Sequence, residues 1–142
     1  MKELVAFILN HWLLVLALIV IATMLAMNIG KTSLLGFKEV DPREAVQLIN
    51  HEAAQVLDTR DDGEFRAGHI LNAIHIPVAD LEQRADELER FREAPIVVYC
   101  KTGQRSARAS TILKNKGFHS IYKLKGGVLA WQGAQLPLTK DL

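Results

Sequence analysis

The first thirty residues differ from the rest of the chain in their pattern of apolar and polar positions. No charged residue lies between Glu3 and Lys31, and the apolar run from Trp12 to Met27 is interrupted only by Thr23. A helix needs about 20 apolar residues to cross roughly 30 Å of hydrocarbon. The pattern therefore predicts a transmembrane helix over about residues 4–29, within an N-terminal membrane anchor of residues 1–30.

A cleaved signal peptide is the alternative interpretation of this segment. Its positive region is weak, with Lys2 beside Glu3, its apolar run is long, and no clean cleavage site follows. These features favour an uncleaved, single-pass anchor in the inner (cytoplasmic) membrane. Lys31, Lys38 and Arg43 follow the span, so the positive-inside bias predicts that the C-terminal part lies in the cytoplasm.

Beyond a linker of residues 31–36, residues 37–142 show short apolar runs that alternate with helical patterns. The runs typical of buried strands are Gln55–Asp58, Ile74–Ile76, Ile96–Tyr99 and Ser120–Leu124. Helical patterns follow Asp41 and Asp80 and cover Ser106–Lys116 and Val128–Ala134. This alternation predicts an α/β domain with a central parallel sheet flanked by helices.

Capping residues predict where two of these helices begin. Asp41-Pro42-Arg43-Glu44 combines an N-cap, a proline in the first turn and an acidic third position. Asp80, with Gln83 three residues later, predicts a second capped helix start. On the exposed side of that helix, Asp86 and Arg90 have the spacing of an i,i+4 ion pair.

Composition and charge exclude several classes of function. The 17 basic and 16 acidic residues leave a net charge of +1, which does not favour nucleic-acid binding. No metal site or cofactor is expected, because no ligand spacing relates the five histidines, His11, His51, His69, His75 and His119. The single cysteine, Cys100, excludes an internal disulfide and fits a reducing compartment.

Cys100 follows the clearest predicted strand, at the sheet edge where open parallel sheets bind ligands. The short loop after it can turn its backbone N–H groups inward, and Gly103 allows backbone angles that other residues resist. A helix predicted to begin at Ser106 adds its positive end to the same point. These features stabilise a thiolate, so we expect Cys100 to have a lowered pKa and to act as a nucleophile.

The length of this loop limits the kind of substrate that the thiolate can attack. In the cysteine phosphatases five residues separate the cysteine from the arginine that follows it. Here four residues separate Cys100 from Arg105, namely Lys101, Thr102, Gly103 and Gln104. The smaller cradle suits one bound sulfur atom better than a phosphoryl group, and Lys101 and Arg105 add charge for an anionic substrate.

Five short motifs in order resemble the rhodanese-like sulfurtransferases. They are Val56-Leu57-Asp58-Thr59-Arg60, then Glu64-Phe65 with Gly68-His69-Ile70, then Ala73-Ile74-His75-Ile76-Pro77, then Val98-Tyr99-Cys100-Lys101-Thr102-Gly103-Gln104-Arg105-Ser106, and finally Leu124-Lys125-Gly126-Gly127 with Trp131. With its N-terminal anchor, the chain resembles the small membrane-anchored, single-domain bacterial members of that family. The resemblance identifies residues 37–142 as a rhodanese-like domain.

What the resemblance implies is sulfur transfer through a persulfide on Cys100. The donor would be thiosulfate or a similar anion, and the acceptor a thiol, cyanide or a protein. The substrate-binding loop would comprise Lys101, Thr102, Gly103, Gln104, Arg105 and Ser106. Asp58 and Arg60 match a family pair that would support this loop structurally.

Two other functions stay open from the sequence. One is a non-catalytic, membrane-tethered module whose rhodanese-like domain binds partners or serves as a scaffold. The other is a phosphatase or arsenate reductase of the related cysteine-loop type, which the four-residue spacing disfavours.

Overall fold

The chain forms two compact units, Met1–Leu34 and Leu35–Leu142. The computed structural model describes residues 1–141, and it describes their side chains except for those of residues 28–34.

The first unit contains two helices, α1 (Lys2–Asn10) and α2 (Trp12–Leu35), instead of the single helix predicted over residues 4–29. The break lies at His11, whose backbone leaves the helical region with φ −124° and ψ 33°. Lys2–Asn10 and Trp12–Met27 are bent by 86° relative to each other. Within the described residues, neither helix alone is long and apolar enough to span a membrane. The bent pair together meets that requirement by length and composition only.

The second unit is built on a five-stranded parallel sheet with strand order β1-β5-β4-β2-β3. The strands are β1 (Lys38–Val40), β2 (Gln55–Asp58), β3 (Ile74–His75), β4 (Ile96–Tyr99) and β5 (Ile121–Leu124). The helices are α3 (Pro42–His51), α4 (Asp62–Ala67), α5 (Val78–Arg84), α6 (Gln104–Asn115) and α7 (Gly127–Gly133), with a 3-10 helix over Ala85–Phe91. The predicted α/β class and parallel sheet are confirmed.

Strand β4 lies in the middle of the sheet, and all four of its side chains are buried. Ile96 and Val98 face one apolar cluster and Val97 and Tyr99 face the other, because successive side chains of a strand point to opposite faces. The first cluster includes Leu81, Leu88 and Leu113 from α5, the 3-10 helix and α6, and the second includes Ala45, Leu48 and Trp131 from α3 and α7. The strand that ends at Cys100 is therefore held on both faces.

Of the two predicted helix starts, one is confirmed and one is wrong. The capping box of α3 is confirmed, since Glu44 N–H donates to Asp41 Oδ1 and Asp41 N–H donates to Glu44 Oε2. The N-cap predicted at Asp80 is wrong, because α5 already begins at Val78, directly after Pro77. The edge strand β1 was not predicted, because only three residues form it.

The ion pair predicted between Asp86 and Arg90 is also wrong. This segment is a 3-10 helix, in which residues three apart are neighbours. Among the described residues, Arg84 Nε pairs with Glu87 Oε1 over 2.7 Å and Arg92 pairs with Glu89, and both pairs are three residues apart. The change from α to 3-10 geometry therefore changes which charges meet.

Candidate active site

The candidate site lies at the carboxyl edge of the sheet, directly after the central strand β4. Cys100 is 1% exposed, and the residues after it form a short loop that leads into α6. Helix α6 begins at Gln104 and not at the predicted Ser106, because Gly103 takes a left-handed conformation (φ 119°, ψ −9°) and serves as its N-cap. The nonhelical loop is thus Lys101–Gly103, shorter than predicted.

Hydrogen-bonding groups surround the sulfur of Cys100. The N–H of Gly103 donates to Sγ over 3.0 Å, and the thiol donates to Ser106 Oγ over 3.5 Å. The Ser106 hydroxyl, which is buried, donates to the carbonyl of Gly103 over 3.1 Å. The thiol therefore lies inside the cradle that the sequence predicts.

These hydrogen bonds determine the ionisation of the thiol. Burial alone raises the pKa of Cys100, but the hydrogen bond with the Ser106 side chain and those from the N–H groups of Ser106, Gly103 and Thr102 lower it. The hydrogen bonds outweigh burial, and the pKa of Cys100 lies below its ordinary value. The predicted lowering of this pKa is confirmed in direction, and the thiolate is the form that reacts as a nucleophile.

Arg105 forms an ion pair with the carboxylate of Glu64, so its guanidinium is not free to bind a substrate. Its Nη1 and Nη2 lie 2.6 and 2.9 Å from the two carboxylate oxygens of Glu64, and Nη1 lies 3.6 Å from Asp61. The hydrogen bond with Glu64 raises the pKa of Arg105 above its ordinary value, and the same hydrogen bond lowers the pKa of Glu64 to about 2. Sequence reasoning assigned Glu64 no role of its own, although it belongs to one of the motifs quoted above.

The other loop residues differ in their exposure. Lys101, Thr102 and Gln104 are exposed, and Lys101 has no ion-pair partner among the residues that the structure describes. A second cation, Lys123 of β5, reaches the loop. A side chain at Gly103 would place its Cβ 3.4 Å from Lys123 Nζ. The sequence analysis missed Lys123, whose Nζ pairs with Glu39 over 2.7 Å.

Asp58 and Arg60 form a buried ion pair at the end of β2. Arg60 Nη2 lies 2.7 Å from Asp58 Oδ2 and donates to the carbonyl of Gly68 over 2.7 Å. The same carboxylate oxygen accepts a hydrogen bond from the hydroxyl of Tyr99 over 2.6 Å. The pair thus connects β2 to the residue that precedes Cys100.

Helix α7 contacts the loop through its backbone. The N–H of Val128 donates to the carbonyl of Cys100 over 2.8 Å, and the N–H of Leu129 donates to the carbonyl of Lys101 over 3.3 Å. This backbone contact was not predicted from the sequence. The one signal for it was that Gly126-Gly127 accompanies the cysteine motif in the family resemblance.

Comparisons with known proteins agree with this geometry. A family model described as a rhodanese-like domain matches residues 41–134. The chain is 30% identical to YibN of Escherichia coli strain K12 over 141 residues, which cover 99% of each chain. It is 37% identical to thiosulfate sulfurtransferase GlpE of Pseudomonas putida F1 over 99 residues, covering 68% of this chain and 86% of GlpE.

A solved structure shows the same fold. The crystal structure of a rhodanese-related protein from Thermoplasma volcanium superposes with a TM-score of 0.64 at 31% identity. The match covers 73% of this chain and 99% of that one. With its family match, its sulfurtransferase relatives and its cysteine loop at the sheet edge, this chain belongs to the rhodanese-like family.

Proposed function

We propose that the protein is a sulfurtransferase that carries sulfane sulfur as a persulfide on Cys100. The observation that carries this proposal is the cradle of N–H donors around one buried sulfur, with Gly103 N–H 3.0 Å from Sγ. A persulfide places its charge on the outer sulfur, and inward-facing donors at a short loop suit a single anionic atom. The similarity to thiosulfate sulfurtransferases of the GlpE type supports the same reaction class.

The reaction has two balanced steps. The Cys100 thiolate attacks the outer sulfur of thiosulfate, a new S–S bond forms, and the old S–S bond breaks so that sulfite leaves with its electron pair. A cyanide ion, a thiolate or a protein thiolate then attacks the outer sulfur of the persulfide. The acceptor leaves with that sulfur, and Cys100 returns as a thiolate, the form that its hydrogen bonds favour.

We assign Lys101 to the recruitment of the anionic donor, and the distribution of charge around the loop supports this role. Lys101 is exposed and has no ion-pair partner among the described residues, whereas Glu64 already neutralises Arg105. We assign Arg105 chiefly to joining α6 to α4. Asp58 and Arg60 support the end of β4 through Tyr99.

The position of Arg105 argues against a phosphatase or an arsenate reductase. Its guanidinium would have to leave Glu64 before it could bind the oxygens of a substrate oxyanion. The thiol environment argues against a passive scaffold, because a binding module has no need of a cysteine whose thiolate is stabilised.

Thiosulfate-to-cyanide turnover by the full-length protein tests the proposal. We expect wild-type turnover and none for Cys100→Ser, which keeps the size of the side chain and removes the thiolate. Turnover that survives Cys100→Ser contradicts the role of Cys100. Hydrolysis of an aryl phosphate that depends on Cys100, without sulfur transfer, indicates a phosphatase instead.

We further propose that the N-terminal unit anchors the protein in the membrane, with the rhodanese-like domain on the cytoplasmic side. Support comes from the absence of charge between Glu3 and Lys31 and from the exposure of large apolar side chains on both helices, such as Phe7 and Leu18. Extraction of membranes at alkaline pH should leave the protein in the pellet. Release into the supernatant contradicts anchoring, and digestion of the domain by protease added outside right-side-out vesicles contradicts the orientation.

A further inference from the structure

Two carbonyl groups of the cysteine loop are bound by the start of helix α7. The N–H groups of Val128 and Leu129 donate to the carbonyls of Cys100 and Lys101 over 2.8 and 3.3 Å. These two N–H groups belong to the first turn of α7, where a helix has no internal acceptor for them. The carbonyls of the loop and the N–H groups of the helix therefore satisfy each other's hydrogen-bonding capacity.

This contact sets the direction of the peptide groups that face the sulfur. In a planar trans peptide, the C=O and the following N–H point in opposite directions. The bond from Leu129 to the carbonyl of Lys101 therefore turns the N–H of Thr102 away from α7, and that N–H acts on the sulfur of Cys100. The next N–H, of Gly103, donates to the same sulfur over 3.0 Å.

The approach of α7 to the loop requires a glycine at position 127. Gly127 has φ +61°, which L side chains rarely adopt. A Cβ at this position would overlap the carbonyl oxygen of Cys100 and would lie 2.5 Å from the carbonyl oxygen of Lys101. Both neighbours are backbone atoms of the loop, so relief of the overlap moves the loop itself.

We propose that Gly127 is a positioning residue for the cysteine loop. Its missing side chain lets α7 bind the carbonyls of Cys100 and Lys101, and this keeps the N–H of Thr102 turned toward the sulfur, directly before the Gly103 N–H that donates to it. The proposal deepens the proposed function and rests on it, because those N–H groups serve the thiolate that accepts the transferred sulfur.

The rate of alkylation of Cys100 by iodoacetamide, measured against pH in the full-length protein, tests this role. Cys100 is the one cysteine of the chain, so the reaction reports on it alone. For Gly127→Ala we expect alkylation roughly tenfold slower near neutral pH, because hydrogen bonds to the thiolate are lost, with rates converging at high pH. The charged groups near the loop, Lys101, Arg105 and Lys123, are unchanged in this variant.

Gly133→Ala is the matched control, since Gly133 lies in the same helix and a Cβ there meets nothing within 4 Å. Its pH profile should overlay that of the wild type. A second variant, Leu129→Pro, deletes one N–H donor, and proline is tolerated in the first turn of a helix. Leu129→Ala removes the same side chain and keeps the N–H. We expect alkylation to be about threefold slower in Leu129→Pro than in Leu129→Ala, and this ratio measures the effect of the hydrogen bond from the Leu129 N–H.

Superimposable pH profiles for the wild type and Leu129→Pro, or for the wild type and folded Gly127→Ala, overturn the proposal. If Gly127→Ala does not fold, the pair of Leu129 variants decides. Alkylation needs no sulfur donor, so the two hypotheses fail separately. A protein whose alkylation profiles shift as expected, but which never forms a persulfide, rejects sulfur transfer and retains the positioning role of Gly127.

Discussion

The guanidinium of Arg105 and the carboxylate of Glu64 form a two-point ion pair with N–O distances of 2.6 and 2.9 Å. The pair connects α6 to α4, and Asp61 adds a second carboxylate 3.6 Å from the same guanidinium. The cation that follows the cysteine loop is thus neutralised by its neighbours. Two variants at this pair can separate charge balance from direct binding of the donor.

We predict that Arg105→Ala raises the KM for thiosulfate several-fold with a smaller effect on kcat. Its loss leaves Glu64 and Asp61 uncompensated near the loop, where they repel an anionic donor. The double variant Arg105→Ala with Glu64→Gln should recover most of the lost affinity. A KM unchanged in Arg105→Ala, or one that the second substitution does not improve, contradicts this explanation.

Lys101→Ala should also raise the thiosulfate KM several-fold, because the exposed ammonium draws the dianion toward the loop. The KM of the variant should depend less on salt concentration than the wild-type KM. Salt screens the attraction between the donor and the charge of Lys101, and the variant lacks that charge. Lys116→Ala removes the same charge at the opposite end of α6 and serves as the control. Equal KM changes in the two variants would point to net charge alone.

The Glu64 pair predicts a specific pH dependence of stability. The pKa of Glu64 is about 2 in the folded protein and 4.5 as its ordinary value. A lowered pKa contributes stability that is present above about pH 4.5 and is lost as the pH falls toward 2. Glu64→Gln should therefore lower the free energy of unfolding at pH 7 by about 0.5–1 kcal/mol. Thermal unfolding at pH 7 and pH 3 checks this, and a difference that does not shrink at pH 3 contradicts it.

Tyr99→Phe should destabilise the domain by about 1–3 kcal/mol, measured by denaturant unfolding. The hydroxyl of Tyr99 donates to Asp58 Oδ2 over 2.6 Å and accepts from the N–H of Ile70 over 3.1 Å, all in the buried interior. Phenylalanine leaves the buried N–H of Ile70 without its acceptor and removes one hydrogen bond from Asp58 Oδ2, which keeps those from Arg60. Tyr122→Phe is the control, because its hydroxyl makes no hydrogen bond among the described residues, and a similar loss in both variants would refute the role of the network.

The central sheet and the cysteine site follow from local features of the sequence. Ile96–Tyr99 is a continuous apolar run, which is typical of a strand buried on both faces. Asp41 and Glu44, three residues apart, form the capping box that begins α3. Cys100 directly follows that strand, so its place at the carboxyl edge needed no knowledge of distant residues. The position at which α6 begins differs from the prediction because of the left-handed Gly103.

What could not be predicted depends on contacts between distant parts of the chain. Glu64 and Arg105 are 41 residues apart, and no periodicity relates an acidic residue after β2 to an arginine after β4. The bonds from α7 to the carbonyls of Cys100 and Lys101 are made by backbone groups, which leave no mark in the side-chain pattern beyond a glycine. The break at His11 lies in a stretch without charged residues, directly before the apolar run from Trp12 to Met27, where composition alone favours an uninterrupted helix.

Mass spectrometry of the intact protein after treatment with thiosulfate tests the central claim most directly. The account predicts that one sulfur atom is added to the wild type, that it maps to Cys100, and that cyanide removes it. The Cys100→Ser variant should gain none. A wild-type protein that stays free of added sulfur, or a variant that gains it equally, contradicts a persulfide on Cys100.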